Sequence, residues 1–287
     1  MKEKNILIIL KLLLKHRKER KTYMEDNNEG RNIELSNEKF KIFYNIIDTL
    51  SGHCNDLYIQ NGIISQSNSK RSFVFYIDLS NILQDISFNI NNLSVKKNLL
   101  NPFIKSKSDI ILKCNENNII FSDKMSEIFF NTPAIQFMED VLIDNEKVKD
   151  MFGLIPENLI LTETIPTEVL KRIRTYSKTL GSISISMLSE NKKLNFFIYG
   201  LDKKSSNKVN IFKLDNIDIA DFECSFPVGM FDCIYSLSTN DDNIWFNLYS
   251  FTNVKSNRKY LSFTICSSVK YSENLTTKFE IMSSVMI

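Results

Sequence analysis

One structural paragraph is written twice in this chain, the copies lying about 129 residues apart. Each opens on an amphipathic helix and continues into short alternating strands. The first copy reads Ser36 to Leu50, then Leu57 to Gln60 and Ser72 to Ile77; the second reads Pro166 to Leu180, then Ser182 to Met187 and Leu194 to Tyr199. A period of this size is too long for a solenoid and matches a duplicated domain. The 287 residues are enough for two domains that each bury a core.

Composition excludes most catalytic machinery. With 7 Gly and 5 Pro, Gly-rich phosphate loops are not expected, and two histidines, His16 and His53, leave no His-built zinc site. The five cysteines (Cys54, Cys114, Cys224, Cys233, Cys266) are scattered and never spaced C-x-x-C, which reads as reduced thiols in an intracellular protein. No Walker, dinucleotide-binding, nucleophile-elbow or H-E-x-x-H motif occurs. Three acidic pairs, Glu139 with Asp140, Asp241 with Asp242 and Asp215 with Asp218, sit in polar stretches that read as turns and not as metal sites. No cofactor and no metal are expected. The abundance of Asn, Ile, Lys, Ser and Phe is the vocabulary of an A/T-rich coding sequence.

Charge is uneven. Residues 1–23 hold eight Lys/Arg against two Glu, a net of +6, which leaves −4 on the remainder of a chain whose total is +2. Affinity for nucleic acid must therefore come from a local stripe. The apolar run Asn5 to Leu14 falls short of the roughly 20 residues a spanning helix needs, and the basic block after it is on the wrong side for a secretory signal. Residues 1–23 read as an appendage to the fold, or as an upstream start with Met24 the first residue; a basic amphipathic membrane anchor is the other reading. Met24 to Gly30 is a polar linker.

Ser36 is an N-cap, and Phe40, Phe43, Ile47 and Leu50 form one buried stripe closed by Gly52. Phe73, Phe75 and Ile77 alternate as a half-buried strand. A second helix is predicted over Asn92–Asn101, ended or bent by Pro102. Asp109–Asp123 reads as a hairpin turning at 115–117, and Glu127–Phe130 as one more strand. The second half repeats the order: a helix from Pro166 to Gly181, strands near 182–187, 194–200 and 208–225, a short helix over Val228–Leu237, and a hairpin from Asn243–Tyr249 to Lys259–Ile265. Trp245 is expected on a sheet face.

On the helix from Pro166 to Leu180, Val169, Ile173, Ser177 and Leu180 fall within about 40° of one line. Lys171, Arg174 and Lys178 take the opposite side with Arg172 on a flank, a row with no interleaved acid. A solvated face is the ordinary meaning of such a row, but surface helices commonly mix signs. Lys96, Lys97, Lys105 and Lys107 add charge around the short helix of the first half, whereas the helix at 37–50 offers Lys39 and Lys41 against Glu38 and Asp48. Such a surface would contact phosphates; no aromatic platform or zinc-finger pattern accompanies it.

The order helix–strands–helix–strands, given twice across an irregular connector, resembles the DNA sliding clamps, in particular the two-domain type of tailed bacteriophages and of proliferating-cell nuclear antigen. The residues carrying the likeness are Asn118 to Pro133, similar to the strand pair that ends a phage clamp's first domain, Pro166 to Gly200, and Asn91 to Leu100. The long connector, the cation-poor first helix and the N-terminal segment depart from that pattern.

The resemblance implies an α+β fold of duplicated clamp domains with helices lining an inner face and antiparallel sheets outside. It divides the chain into an extension at 1–33, a first clamp domain at 34–133, a connector at 134–160 and a second clamp domain at 161–287. It further implies a non-enzymatic DNA polymerase processivity factor, a homotrimer that encircles double-stranded DNA without sequence preference. A clamp-loader ATPase would load it, and its setting would be the cytoplasm of a bacteriophage-infected host. DNA contact would fall to Lys171, Arg172, Arg174, Lys178, Lys96, Lys97, Lys105 and Lys41. A polymerase tail would dock near the connector, with Phe137, Met138, Val141 and Leu142 as candidate groove residues. The competing readings are a viral structural or assembly protein built from duplicated β-rich domains, and a monomeric processivity factor of the same fold held on DNA by charge alone.

Overall fold

The computed structural model describes residues 31–115, 118–131, 145–200, 207–238, 243–253, 256–272 and 275–287. Ser36 caps the first long helix by accepting a hydrogen bond from the Lys39 amide, and the helix buries Phe40, Ile42, Phe43, Ile46, Ile47 and Leu50. The second long helix begins after Pro166 and stops at Gly181, which takes the left-handed conformation (φ 63°) that a side chain would resist.

The first half runs β1 (Arg31–Leu35), α1 (Asn37–Leu50), β2 (Leu57–Ile59), β3 (Ile63–Ser67), β4 (Val74–Asp78), α2 (Ser80–Leu83), β5 (Phe88–Ile90), α3 (Leu93–Ile104), β6 (Ile110–Cys114), β7 (Asn118–Ser122) and β8 (Glu127–Asn131). After α4 (Asn145–Met151) the second half runs β9 (Leu159–Thr164), α5 (Thr167–Leu180), β10 (Ser184–Glu190), β11 (Lys193–Tyr199), β12 (Lys208–Asp215), β13 (Phe222–Pro227), α6 (Val228–Leu237), β14 (Ile244–Asn253), β15 (Arg258–Ser272) and β16 (Leu275–Met286). Apart from α2, the halves match element for element.

Pairing follows the duplication. The sheet β1-β6-β7-β8 has its counterpart in β9-β14-β15-β16, and β12-β11-β10-β13 corresponds to β4-β3 and β2-β5. In the first half that second sheet is split. Gln66, fully buried, stands in for main chain: its Oε1 accepts from the Tyr58 amide and its Nε2 donates to the Asp56 carbonyl, each at 2.9 Å. The halves are joined by β4, which pairs antiparallel with β16 from Val74↔Met282 to Asp78↔Lys278, so that β3-β4-β16-β15-β14-β9 is one six-stranded sheet.

Several elements differ from the sequence expectation. The helix at Leu93 continues through Pro102 to Ile104, because a proline in the last turn forfeits one bond while Leu100 and Phe103 bury below it. The span 208–225 is two strands, β12 and β13. Strand β1 starts at Arg31, inside the stretch assigned to the extension, and the connector range contains α4 and the start of β9. Val148 of α4 packs with Val74 and Met282 on the outer face of the six-stranded sheet, beside Tyr76, Phe152 and Leu154.

Phe263 is the centre of the second half, with the rings of Phe226, Phe231 and Phe246 at 5.2, 5.3 and 5.4 Å. Phe121 plays that part in the first half, against Phe40, Phe43 and Phe130. Phe263→Ala removes a fully buried ring and is expected to cost about 3–5 kcal/mol. A fall in the urea midpoint, followed by the fluorescence of the single tryptophan, Trp245, on the adjoining strand β14, checks this.

Candidate nucleic-acid interface

The helices form one layer in the order α3–α1–α6–α5, so the two halves meet helix to helix through α1 and α6. Each helix buries its apolar stripe against the sheets, α5 on β11 and β12, α6 on β15 and β16, α1 on β1 and α3 on β8. What the layer presents to solvent is therefore set by the opposite faces. On α1 the exposed row is Glu38, Lys41, Asn45 and Asp48. On α3 it includes Ser94, Val95, Asn98 and Leu99, and α6 has no fully exposed residue and no cation. The cations gather on α5, where Lys171, Arg172 and Lys178 are exposed.

The eight expected DNA contacts separate into two groups. Lys171, Lys178, Lys41 and Lys105 are exposed and have no ion-pair partner among the described residues. The other four are engaged. Arg172 Nε lies 3.6 Å from Glu168 one turn earlier. Lys97 Nζ lies 2.5 Å from Asp48 of α1. Lys96 donates to Asn91 Oδ1 and to the Asn131 carbonyl and lies over the Phe130 ring at 5.1 Å, tying α3 to β8; burial pushes its ammonium below the usual lysine range, against a smaller opposing pull from Asp56.

Arg174, read as part of a row with no interleaved acid, meets an acid from the neighbouring helix. Its Nε comes within 2.9 Å of Asp232 Oδ1 on α6, and its guanidinium lies 5.5 Å from the Tyr235 ring centroid. The approach is off the N–H axis, so it is an ion pair without an aligned hydrogen bond, and that oxygen has no other donor among the described residues. Asp48 and Asp232 are thus ion-pair partners that the expected set did not include. The sequence signal for Asp232 was available: it is the one charge in a ten-residue helix that is otherwise apolar or small.

The candidate groove residues Phe137, Met138, Val141 and Leu142 lie outside the described residues, as do residues 1–30 of the extension. Around the end of the connector the chain leaves Met151, Ile155, Leu159 and Ile160 exposed, and Ile160 shares a surface pocket with Ile287.

No three His, Cys, Asp or Glu side chains among the described residues are placed to hold a metal ion. All five thiols are buried; desolvation pushes those of Cys54, Cys114, Cys224 and Cys266 up to about 12, and that of Cys233 higher still. Among the described residues, no helix is long and apolar enough to cross a membrane.

This arrangement, two matched halves with a shared helix layer and sheets behind it, defines the sliding-clamp class of structures. Proliferating cellular nuclear antigen from Entamoeba histolytica is similar over 88% of this chain and 98% of its own, with a TM-score of 0.56 at 13% identity. The A. fulgidus PCNA solved with the C-terminal region of FEN-1 gives 0.55 at 11% identity, covering 88% of this chain and 96% of the other. The H. pylori beta clamp in complex with 5-chloroisatin gives 0.55 at 16% identity, over 89% of this chain and 66% of its own. The chain has the DNA sliding-clamp fold. No protein-family model matches it, and no curated protein matches it in sequence.

Raised thiol pKa values leave almost no thiolate at pH 8. Ellman's reagent is therefore expected to titrate the five cysteines only after denaturation, and rapid reaction of one of them in the native protein would contradict their burial.

Proposed function

We propose that this protein is a DNA polymerase processivity factor, a clamp that closes into a homotrimer around duplex DNA. One observation carries the reading. Within the chain β4 pairs with β16, and the duplicates of these two strands, β12 and β8, are left as sheet edges among the described residues. Pairing β8 of one copy with β12 of the next would repeat between chains the junction already made within one. That contact is head to tail, so it propagates from copy to copy, and with one third of a turn per copy, the rotation this proposal takes, it closes into a ring. The β8 edge carries Glu127 and exposed Phe129, and the β12 edge carries Lys208, with Lys213 paired to Asp215 of its own strand at 2.9 Å.

A ring built this way puts the helix layer toward its hole. Lys171, Lys178, Lys41 and Lys105 then meet phosphates, and contacts limited to phosphates carry no sequence preference and permit sliding. The ring is held by linkage and catalyses nothing, so a separate loader ATPase opens it. A polymerase tail docks by apolar side chains near the connector, where Met151, Ile155 and Leu159 are exposed. The bacteriophage setting, and with it a host-cytoplasmic location, enters this proposal through the sequence resemblance and the A/T-rich residue usage.

Sedimentation of the full chain at micromolar concentration is expected to give three times the chain mass, and a monomer there removes the reading. Lys171→Glu with Lys178→Glu is expected to cut processive synthesis on primed circles at least about tenfold while leaving stability within about 0.5 kcal/mol, because both side chains are exposed and have no ion-pair partner among the described residues. Primer-extension lengths and thermal melts check the two halves of that statement.

A further inference from the structure

We infer that Asp48 and Asp232 act as internal counter-ions that hold Lys97 and Arg174 away from the DNA phosphates, and so set how tightly the clamp grips. The inference rests on the clamp reading above and adds to it the residues that tune the contact.

The geometry is repeated. In the first half Lys97 of α3 meets Asp48 of α1 at 2.5 Å; in the second, Arg174 of α5 meets Asp232 of α6 at 2.9 Å. Each pair bridges the two helices of one half, and each joins a cation of the expected DNA stripe to an acid on the neighbouring helix. The polarity is reversed between halves: the acid is on the first helix in one and on the second helix in the other. A direct copy of one ancestral pair would have kept the same polarity.

Packing alone is a poor account of these pairs. Their side chains are 25% and 50% exposed in the first and 38% and 30% in the second, and ion pairs between side chains so open to water contribute little stability, although the Asp232 oxygen facing Arg174 is itself buried. Arg174 also reaches Asp232 off its N–H axis, which leaves the carboxylate oxygen without an aligned donor. Such a pair is readily exchanged for a phosphate. Against this, Lys171 and Lys178 on the same helix layer have no acid within reach among the described residues. The layer thus contains two kinds of cation, free and neutralised.

The physical consequence follows from counter-ion release. Every cation placed on a phosphate adds about 0.9 to the slope of log affinity against log salt, and a contact that must be broken at each step of sliding. A ring retained by linkage gains nothing from extra affinity and is slowed by it. Neutralising two cations per chain leaves the charge needed to keep DNA centred and withholds the remainder.

The test measures binding of the full chain to a fluorescent linear 30-bp duplex between 50 and 300 mM NaCl. Asp48→Asn and Asp232→Asn are near-isosteric and free the cations. Each is expected to steepen the salt slope by about 0.9 and to tighten binding about two- to tenfold at the lowest salt. Adding Arg174→Gln to Asp232→Asn, or Lys97→Gln to Asp48→Asn, is expected to abolish the gain. In the otherwise unchanged chain, Lys97→Gln and Arg174→Gln are expected to leave affinity within about twofold, whereas Lys171→Gln lowers it and flattens the slope. These single glutamine variants decide the matter should either asparagine variant fold poorly. Wild-type binding with a clear salt slope, but asparagine variants indistinguishable from it, or a loss from Lys97→Gln or Arg174→Gln as large as that from Lys171→Gln, overturns the inference alone. Absence of salt-dependent duplex binding by the wild type overturns the inference as well, whereas the clamp reading beneath it falls only to a monomer in sedimentation.

Discussion

The antiparallel ladder between β4 and β16 is the contact on which the architecture depends. It makes one sheet of two halves that otherwise meet through α1 and α6, and it fixes their relative orientation by main-chain hydrogen bonds in a defined register. Strand edges are liabilities unless paired or covered. The duplication creates four such edges of matching type and the chain satisfies two of them internally. The pair left over among the described residues is the one through which the proposed ring would add further copies. In that proposal fold and assembly would share one structural cause, a pairing made once in cis and repeated in trans.

How much of this could be read in the residues depended on how many faces each element buries. Helices α1 and α5 bury one stripe each, and their 3-4 spacing made them legible together with their caps at Ser36 and Gly181. The hairpins β6–β7 and β14–β15 alternate or turn at polar triplets and were legible for the same reason. Strand β16 was not, though it is among the longest. It lies between β4 and β15, with the second-half core under one face and α4 over part of the other, so its burial pattern breaks the alternation that marks a half-exposed strand. Strands β1, β3 and β5, of three to five residues, carry too few positions for a period to show, whereas the equally short β2 was read as Leu57 to Gln60 through its place in the duplication.

The candidate interface was legible in part for a related reason. Periodicity placed Lys171, Arg174 and Lys178 on the solvent side of one helix, and exposure of Lys171 and Lys178 agrees with that. Partners on a neighbouring helix do not enter a helical wheel. Asp232 lies 58 residues after Arg174 and Asp48 lies 49 before Lys97, so only the packing of α6 on α5, and of α3 on α1, brings charge to charge. A lone carboxylate on an apolar helix is a sequence-level hint of such a cross-helix pair.

Gln66 has a mechanical meaning. In the second half β10 and β11 are laced by a continuous run of rungs, whereas in the first a single amide side chain does much of the fastening between β2 and β3. Two bonds from one rotatable group part together. The corner carrying β2 and β5 is consequently a perforation in an otherwise seamed protein, the line along which the first half would give way before its twin, and along which amide protons there would exchange with solvent ahead of their counterparts.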